Sequence, residues 1–68
     1  MISVSSSNLQ SVGYDASTQT LRIAFHKGGV YDYSGVPKSV YDGLMGASSK
    51  GSYHASYIKN SYPYKKIR

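Results

Sequence analysis

No cysteine and no glutamate occur among the 68 residues, phenylalanine occurs once, and the acidic residues number three. Each shortage closes off a class of function. Without cysteine there is neither a disulfide framework nor a thiolate metal site. Asp15, Asp32 and Asp42 fall at turns or on a strand, a poor basis for paired-carboxylate chemistry. His26 and His54 are the only side chains that ordinarily titrate near neutrality, and no His-x-x-x-His or His-x-Glu spacing supplies further ligands. Neither catalysis, nor a metal, nor a cofactor is expected. Long apolar runs are missing as well. Nothing approaches membrane-spanning length, and Met1-Ile2-Ser3-Val4 leads into polar serines, unlike an export signal. The expectation is a cytoplasmic protein with no membrane partner.

What the chain does have is tyrosine, eight of them, beside only three Leu, four Ile and five Val. A single domain of this length buries roughly 60% of its unfolded surface, so its core is small. Tyrosine adds apolar area but requires a wet or paired hydroxyl. A small scaffold without covalent staples gains from association, so a homo-oligomer is expected. Charge is placed unevenly. Arg22, Lys27 and Lys38 balance the three aspartates within residues 1–42, so the net charge of +5 lies wholly in residues 43–68, on Lys50, Lys59, Lys65, Lys66 and Arg68. A one-sided positive field favours polyanionic partners, although lysines also serve simply to solubilise a tail.

The strongest local pattern runs from Thr20 to Ser34. Leu21, Ile23 and Phe25 alternate with Arg22, Ala24 and His26, the period of a half-buried strand. Lys27-Gly28-Gly29 then permits a sharp reversal, and Val30–Tyr33 forms the antiparallel partner. A two-residue loop would pair Phe25 with Val30 and turn Tyr31 and Tyr33 to the Arg22 face. The other register pairs Phe25 with Tyr31 and sends both rings toward the core. A slip of one residue exchanges these faces, and local pattern leaves both open. Upstream, Ile2–Ser5 and Leu9–Tyr14 read as strands, with Gly13 marking a bulge or a close backbone approach. Downstream, Pro37 suits a helix start, and Val40/Leu44 and Tyr41/Met45 share a helical face. Gly43 and Gly46 weaken that helix, which points to something packing closely against them. A second helix runs from Ser49 to about Lys59, and residues 60–68 form an extended basic-aromatic tail. The expected fold is α+β: an antiparallel β-meander of three to four strands followed by two short α-helices, in one domain spanning 1–68.

Three features carry binding chemistry. Tyr31 and Tyr33, exposed, would form a stacking platform of the kind single-strand binders use; buried, they would be core or interface residues. Ser49, Lys50 and Gly51 place small residues and a cation at a helix start, where a phosphate can sit, and an ordinary serine cap accounts for the same residues. Tyr62, Tyr64, Lys65 and Lys66 interleave rings with cations, while Tyr53 and Lys59 add a ring and a charge on the second helix.

The ordered set Ser6-Ser7-Asn8, Gly13-Tyr14-Asp15, Leu21-x-Ile23-x-Phe25, Gly28, Tyr31-x-Tyr33, Val36-Pro37, Leu44, Ala47-Ser48, Gly51, Tyr53, Ile58-Lys59 and Tyr62-Pro63-Tyr64 resembles the KTSC domain over nearly the whole chain. That family takes its name from the C-terminus of some lysyl-tRNA synthetases and occurs also as small free-standing bacterial and phage proteins. His54 departs from the pattern, standing where a second aromatic is expected after Tyr53. The resemblance implies RNA binding, through the synthetase fusions, and no established enzyme activity; a charging activity is not implied, because the catalytic domain is absent. The favoured expectation is thus a non-catalytic module for RNA or single-stranded nucleic acid. The alternatives are a small oligomeric protein, of phage origin, that sequesters a cyclic nucleotide immune signal, and a protein-interaction domain.

Overall fold

Alternation of Leu21, Ile23 and Phe25 with Arg22 and Ala24 makes β3 (Thr20–Phe25) the middle strand of the sheet. The computed structural model describes residues 1–68 in full. Around β3 lies a five-stranded antiparallel sheet in sequential order, with β1 (Ile2–Ser3), β2 (Leu9–Asp15), β4 (Gly29–Tyr33) and β5 (Tyr64–Lys66). Two short helices cover one face, giving the α+β architecture expected. Leu9, Val12, Leu21, Ile23 and Tyr33 from the sheet meet Val36, Leu44 and Ile58 in a single core. Truncating a buried Leu or Ile of this kind to Ala typically costs about 2–5 kcal/mol.

The central hairpin adopts neither of the two pairings anticipated. Phe25 lies opposite Gly29, Ile23 opposite Tyr31 and Leu21 opposite Tyr33, so His26-Lys27-Gly28 is the loop. Both tyrosines share the Leu21/Ile23/Phe25 face. The reason is that Gly29, at φ +84°, is the residue in the left-handed region and opens the returning strand. A side chain there would also strike the Arg68 carbonyl, so the position needs glycine twice over.

The tail brings a further correction. Residues 64–66 are not a free extension but an edge strand, pairing Tyr33 with Tyr64, Asp32 with Lys65 and Tyr31 with Lys66. Beyond it, the Ile67 N–H donates to the Val30 carbonyl at 2.8 Å and the Val30 N–H to the Arg68 carbonyl at 3.2 Å. Lysine-rich edges are a common guard against unwanted strand pairing, and they carry no apolar alternation to announce them. In β2 the bulge falls between Leu9 and Ser11, not at Gly13, and lets Leu9 and Val12, three apart, both face the core. Gly13 instead lies under Met1, whose Cγ would be 2.9 Å from an added Cβ. Only Ile2–Ser3 of the expected first strand pairs.

Helix α1 (Lys38–Gly46) starts behind Pro37, whose carbonyl accepts from Val40 and Tyr41. Its Leu44 is buried, and Tyr41 stacks on Tyr14 with ring centroids 4.9 Å apart. The Tyr14 hydroxyl donates to the Val36 carbonyl at 2.6 Å, tying the helix entry to β2. Helix α2 (Lys50–Tyr53) continues without a break as a π-helical turn, His54–Ile58, closed by the Lys59 N–H donating to the His54 carbonyl at 2.8 Å.

The two glycines of α1 differ. A Cβ on Gly43 would fall on the Tyr53 hydroxyl, whereas one on Gly46 meets nothing within 4 Å. Helix propensity alone favours Ala over Gly by about 1 kcal/mol at either place. Gly46→Ala is therefore expected to stabilise by about 0.5–1 kcal/mol, and Gly43→Ala to destabilise through overpacking of about 1–3 kcal/mol that outweighs the propensity gain. Urea unfolding of the two variants checks the opposite signs.

Candidate functional site

The register of the hairpin gathers rings at the β4–β5 side of the covered face. Tyr33 is 4% exposed, Tyr31 is half-buried and Tyr64 is 59% exposed, so the three descend from rim to floor. Phe25 meets Tyr31 edge-on at 5.7 Å and His54 at 5.1 Å, while Tyr64 lies 5.5 Å from Tyr31 and 5.8 Å from Tyr33. These five rings, with Gly28, Lys59 and Asn60, line a cleft of about 300 Å³. A second hollow of about 590 Å³ shares Phe25, Gly28, His54 and Lys59 with the first and extends to Asn8, His26, Lys27 and Gly51. The two make one groove, aromatic at one end and polar at the other.

Its electrostatics are one-sided. Lys27 and Lys59 line it, unpaired with any carboxylate, and Lys66 stands beside Tyr31 on the same sheet face. No aspartate enters. Asp32 projects from the opposite face, where Arg22 holds it through hydrogen bonds of 2.7 and 2.9 Å. That pairing, helped by Lys65, keeps its carboxyl below the usual range. Asp15 is likewise lowered, chiefly by the Ser17 hydroxyl and N–H, and Asp42 pairs with Lys38 on the exposed side of α1.

At the floor, the Tyr33 hydroxyl and His54 Nε2 are 2.8 Å apart. Burial, then the neighbouring Tyr31 and Tyr64, pushes the Tyr33 phenol up to about 12. Burial, with Lys59 adding repulsion, pushes His54 below its ordinary value. Both groups are neutral at pH 7. The arrangement offers ring faces, cations and hydrogen-bonding groups. The other histidine, His26, meets the Ser6 carbonyl at 3.1 Å, and no cluster of three metal-ligating side chains exists.

Of the residues singled out from sequence, Tyr31, Tyr33, Lys59 and Tyr64 converge in the cleft and Gly51 lines the adjoining hollow. Lys66 flanks them. Lys65 points to the opposite face, toward Asp32. Ser49 and Tyr53 lie in a separate shallow depression, and Tyr62 packs against the core. The helix start is spent on local structure: Ser49 accepts from the Ser52 N–H at 3.4 Å and Lys50 Nζ donates to the Ala47 carbonyl at 3.1 Å. A Cβ on Gly51 would stand 3.1 Å from Nδ2 of the exposed Asn8 side chain. Sequence reasoning missed Phe25, Lys27, His54 and Asn60. Only His54 carried a signal, its four-residue spacing from buried Ile58.

A sequential five-stranded sheet under two short helices, with an aromatic groove at its last strand pair, defines a small α+β domain. The sequence matches the KTSC domain family over residues 5–62, and the chain belongs to that family. It is 41% identical over 54 residues to the lysine–tRNA ligase of Trichormus variabilis, a match spanning 79% of this chain but 10% of the ligase. A protein of Stutzerimonas stutzeri is 36% identical over 58 residues, spanning 85% of this chain and 82% of that one. The crystal structure of a KTSC domain protein from Yersinia pestis superposes with a TM-score of 0.95 at 39% identity, covering 97% of this chain and 93% of the other.

The Tyr33–His54 bond gives two linked expectations. His54→Phe strands a buried hydroxyl and should cost about 1–3 kcal/mol, whereas Tyr33→Phe with His54→Phe removes both partners and should recover most of it. Because the folded chain resists protonating His54, the unfolded chain binds more protons below pH 6.5, the ordinary histidine value. Stability is full above that value and falls as pH drops through it toward the lowered one. Urea midpoints across this window should show the slope in the parent and its loss in both variants.

Proposed function

We propose that this chain is a non-catalytic binding module for a phosphate-bearing ligand, with single-stranded nucleic acid, RNA foremost, lying along the groove. The carrying observation is that Lys27, Lys59 and Lys66 attend a groove floored by aromatic rings and free of carboxylates. Base–aromatic stacking contributes about 1–3 kcal/mol per base and tolerates any sequence. Cations beside the rings meet the phosphates. The likeness to lysine–tRNA ligases, proteins whose name carries an RNA, supports the same reading.

A second reading, sequestration of one small cyclic nucleotide by an oligomer of this chain, draws on the size of the hollows, about 300 and 590 Å³, which suits a small-ligand pocket. Calorimetry separates the two. For RNA, affinity should rise with oligomer length and fall steeply with salt, and Lys27→Ala with Lys59→Ala should flatten the slope of log K against log salt by about 0.7 per lost phosphate contact. Tight binding of a cyclic dinucleotide, with RNA bound no better as it lengthens, would favour the pocket. If neither binds, a protein-interaction role takes first place. Light scattering at micromolar concentration tests the homo-oligomer, and a monomer would remove that part of the second reading.

A further inference from the structure

The groove contains one polar pair whose protons can be assigned. Tyr33 is 4% exposed and its hydroxyl has a single partner, His54 Nε2. A buried hydroxyl proton needs an acceptor. With the Tyr33 hydroxyl as donor, the direction its burial favours, Nε2 is bare and the neutral imidazole carries its proton on Nδ1. Burial and the charge of Lys59 hold His54 in that neutral state. Nδ1 itself makes no hydrogen bond within the chain, yet no buried side-chain nitrogen lacks a partner, so Nδ1 keeps contact with solvent. His54 lines both halves of the groove, which puts its ring at the groove surface.

The π-helical turn accounts for the placement. Residues five apart diverge around an α-helix, whereas a π turn hydrogen-bonds them and brings them to neighbouring sides. His54 and Lys59 are such a pair. The turn thus sets a neutral donor beside a cation, and both face the same groove.

We propose that His54 Nδ1–H is a specificity-determining donor that reads an acceptor atom, a bare ring nitrogen or a carbonyl oxygen, on an unpaired nucleobase seated in the aromatic half of the groove, with Tyr33 as the positioning residue. This rests on the nucleic-acid reading above. A base fits this half better than a phosphate, because Phe25, Tyr31 and Tyr64 line it together with His54, while the polar half holds Lys27. A base that turned its own N–H toward Nδ1 would leave two donors opposed and be rejected.

The test has two arms. First, ¹⁵N spectra of the free protein should show the His54 proton on Nδ1; a proton on Nε2 overturns the proposal without any ligand. Second, fluorescence anisotropy with labelled oligo(A), oligo(C) and oligo(U) decamers should rank the three for the parent. In Tyr33→Phe with His54→Phe, which strands no buried group, the preferred decamer should lose roughly three- to tenfold, the worth of one hydrogen bond, and the ranking should flatten. The salt slope, set by lysines that are untouched, should persist. Tyr33→Phe alone, which only frees the tautomer, should give a smaller loss of the same kind. A parent that binds all three alike, or a double variant that keeps the ranking, overturns this proposal while leaving the nucleic-acid reading in place. A parent that binds no decamer overturns both.

Discussion

Pairing Ile23 with Tyr31 and Leu21 with Tyr33 turns two tyrosine rings toward the helices, and the rest of the molecule accommodates them. Their face is already supplied with aliphatic residues by β2 and β3, so Tyr33 closes the core at its far side while Tyr31 is left half-buried at the margin. A phenol inside a core requires a partner, and His54 is the group that the second helix delivers. The tail then lies along β4 and adds Tyr64 beside both rings. Register, polar pairing and edge strand are in this sense one construction.

The same sheet sorts its charges by face. Arg22, Asp32 and Lys65 are neighbours across β3, β4 and β5 on the side away from the helices, and the carboxylate is held there by two hydrogen bonds. Exposed ion pairs add little stability, about 0–1 kcal/mol at most sites. Their consequence here is spatial. With Asp32 engaged by Arg22 and Asp42 by Lys38, the groove side keeps its lysines without opposing charge.

Glycine performs distinct tasks at separate points of this small chain. Gly29 supplies the left-handed residue that sets the hairpin, and also the space into which the C-terminal carbonyl comes. Gly43 gives up helix propensity to seat Tyr53, whose ring pairs in turn with Tyr57 at 4.7 Å. Both choices accept a local cost because a contact from a distant segment requires it.

The existence of the hairpin, the start of α1 behind Pro37, the Ser49 cap and the uneven charge were all legible in the sequence, because each depends on residues within a turn or two of one another. Four of the site residues, Tyr31, Tyr33, Lys59 and Tyr64, were legible too, as rings and cations of suitable type. Their convergence was not. Which face the tyrosines take depended on whether Gly28 or Gly29 carried the positive φ, a choice confirmed by the Arg68 backbone from the far end of the chain. The fifth strand had no apolar alternation, since an edge strand rich in lysine is held by backbone hydrogen bonds to β4 and not by side-chain burial. His54 showed no ligand spacing in the sequence, and local spacing cannot say what faces a buried ring. By itself the sequence determined the hairpin, the helix starts and the sign of the charge, which are local properties. Tertiary structure alone decided that the rings, His54 and Lys59 share one groove, because that depends on contacts between segments remote in the chain.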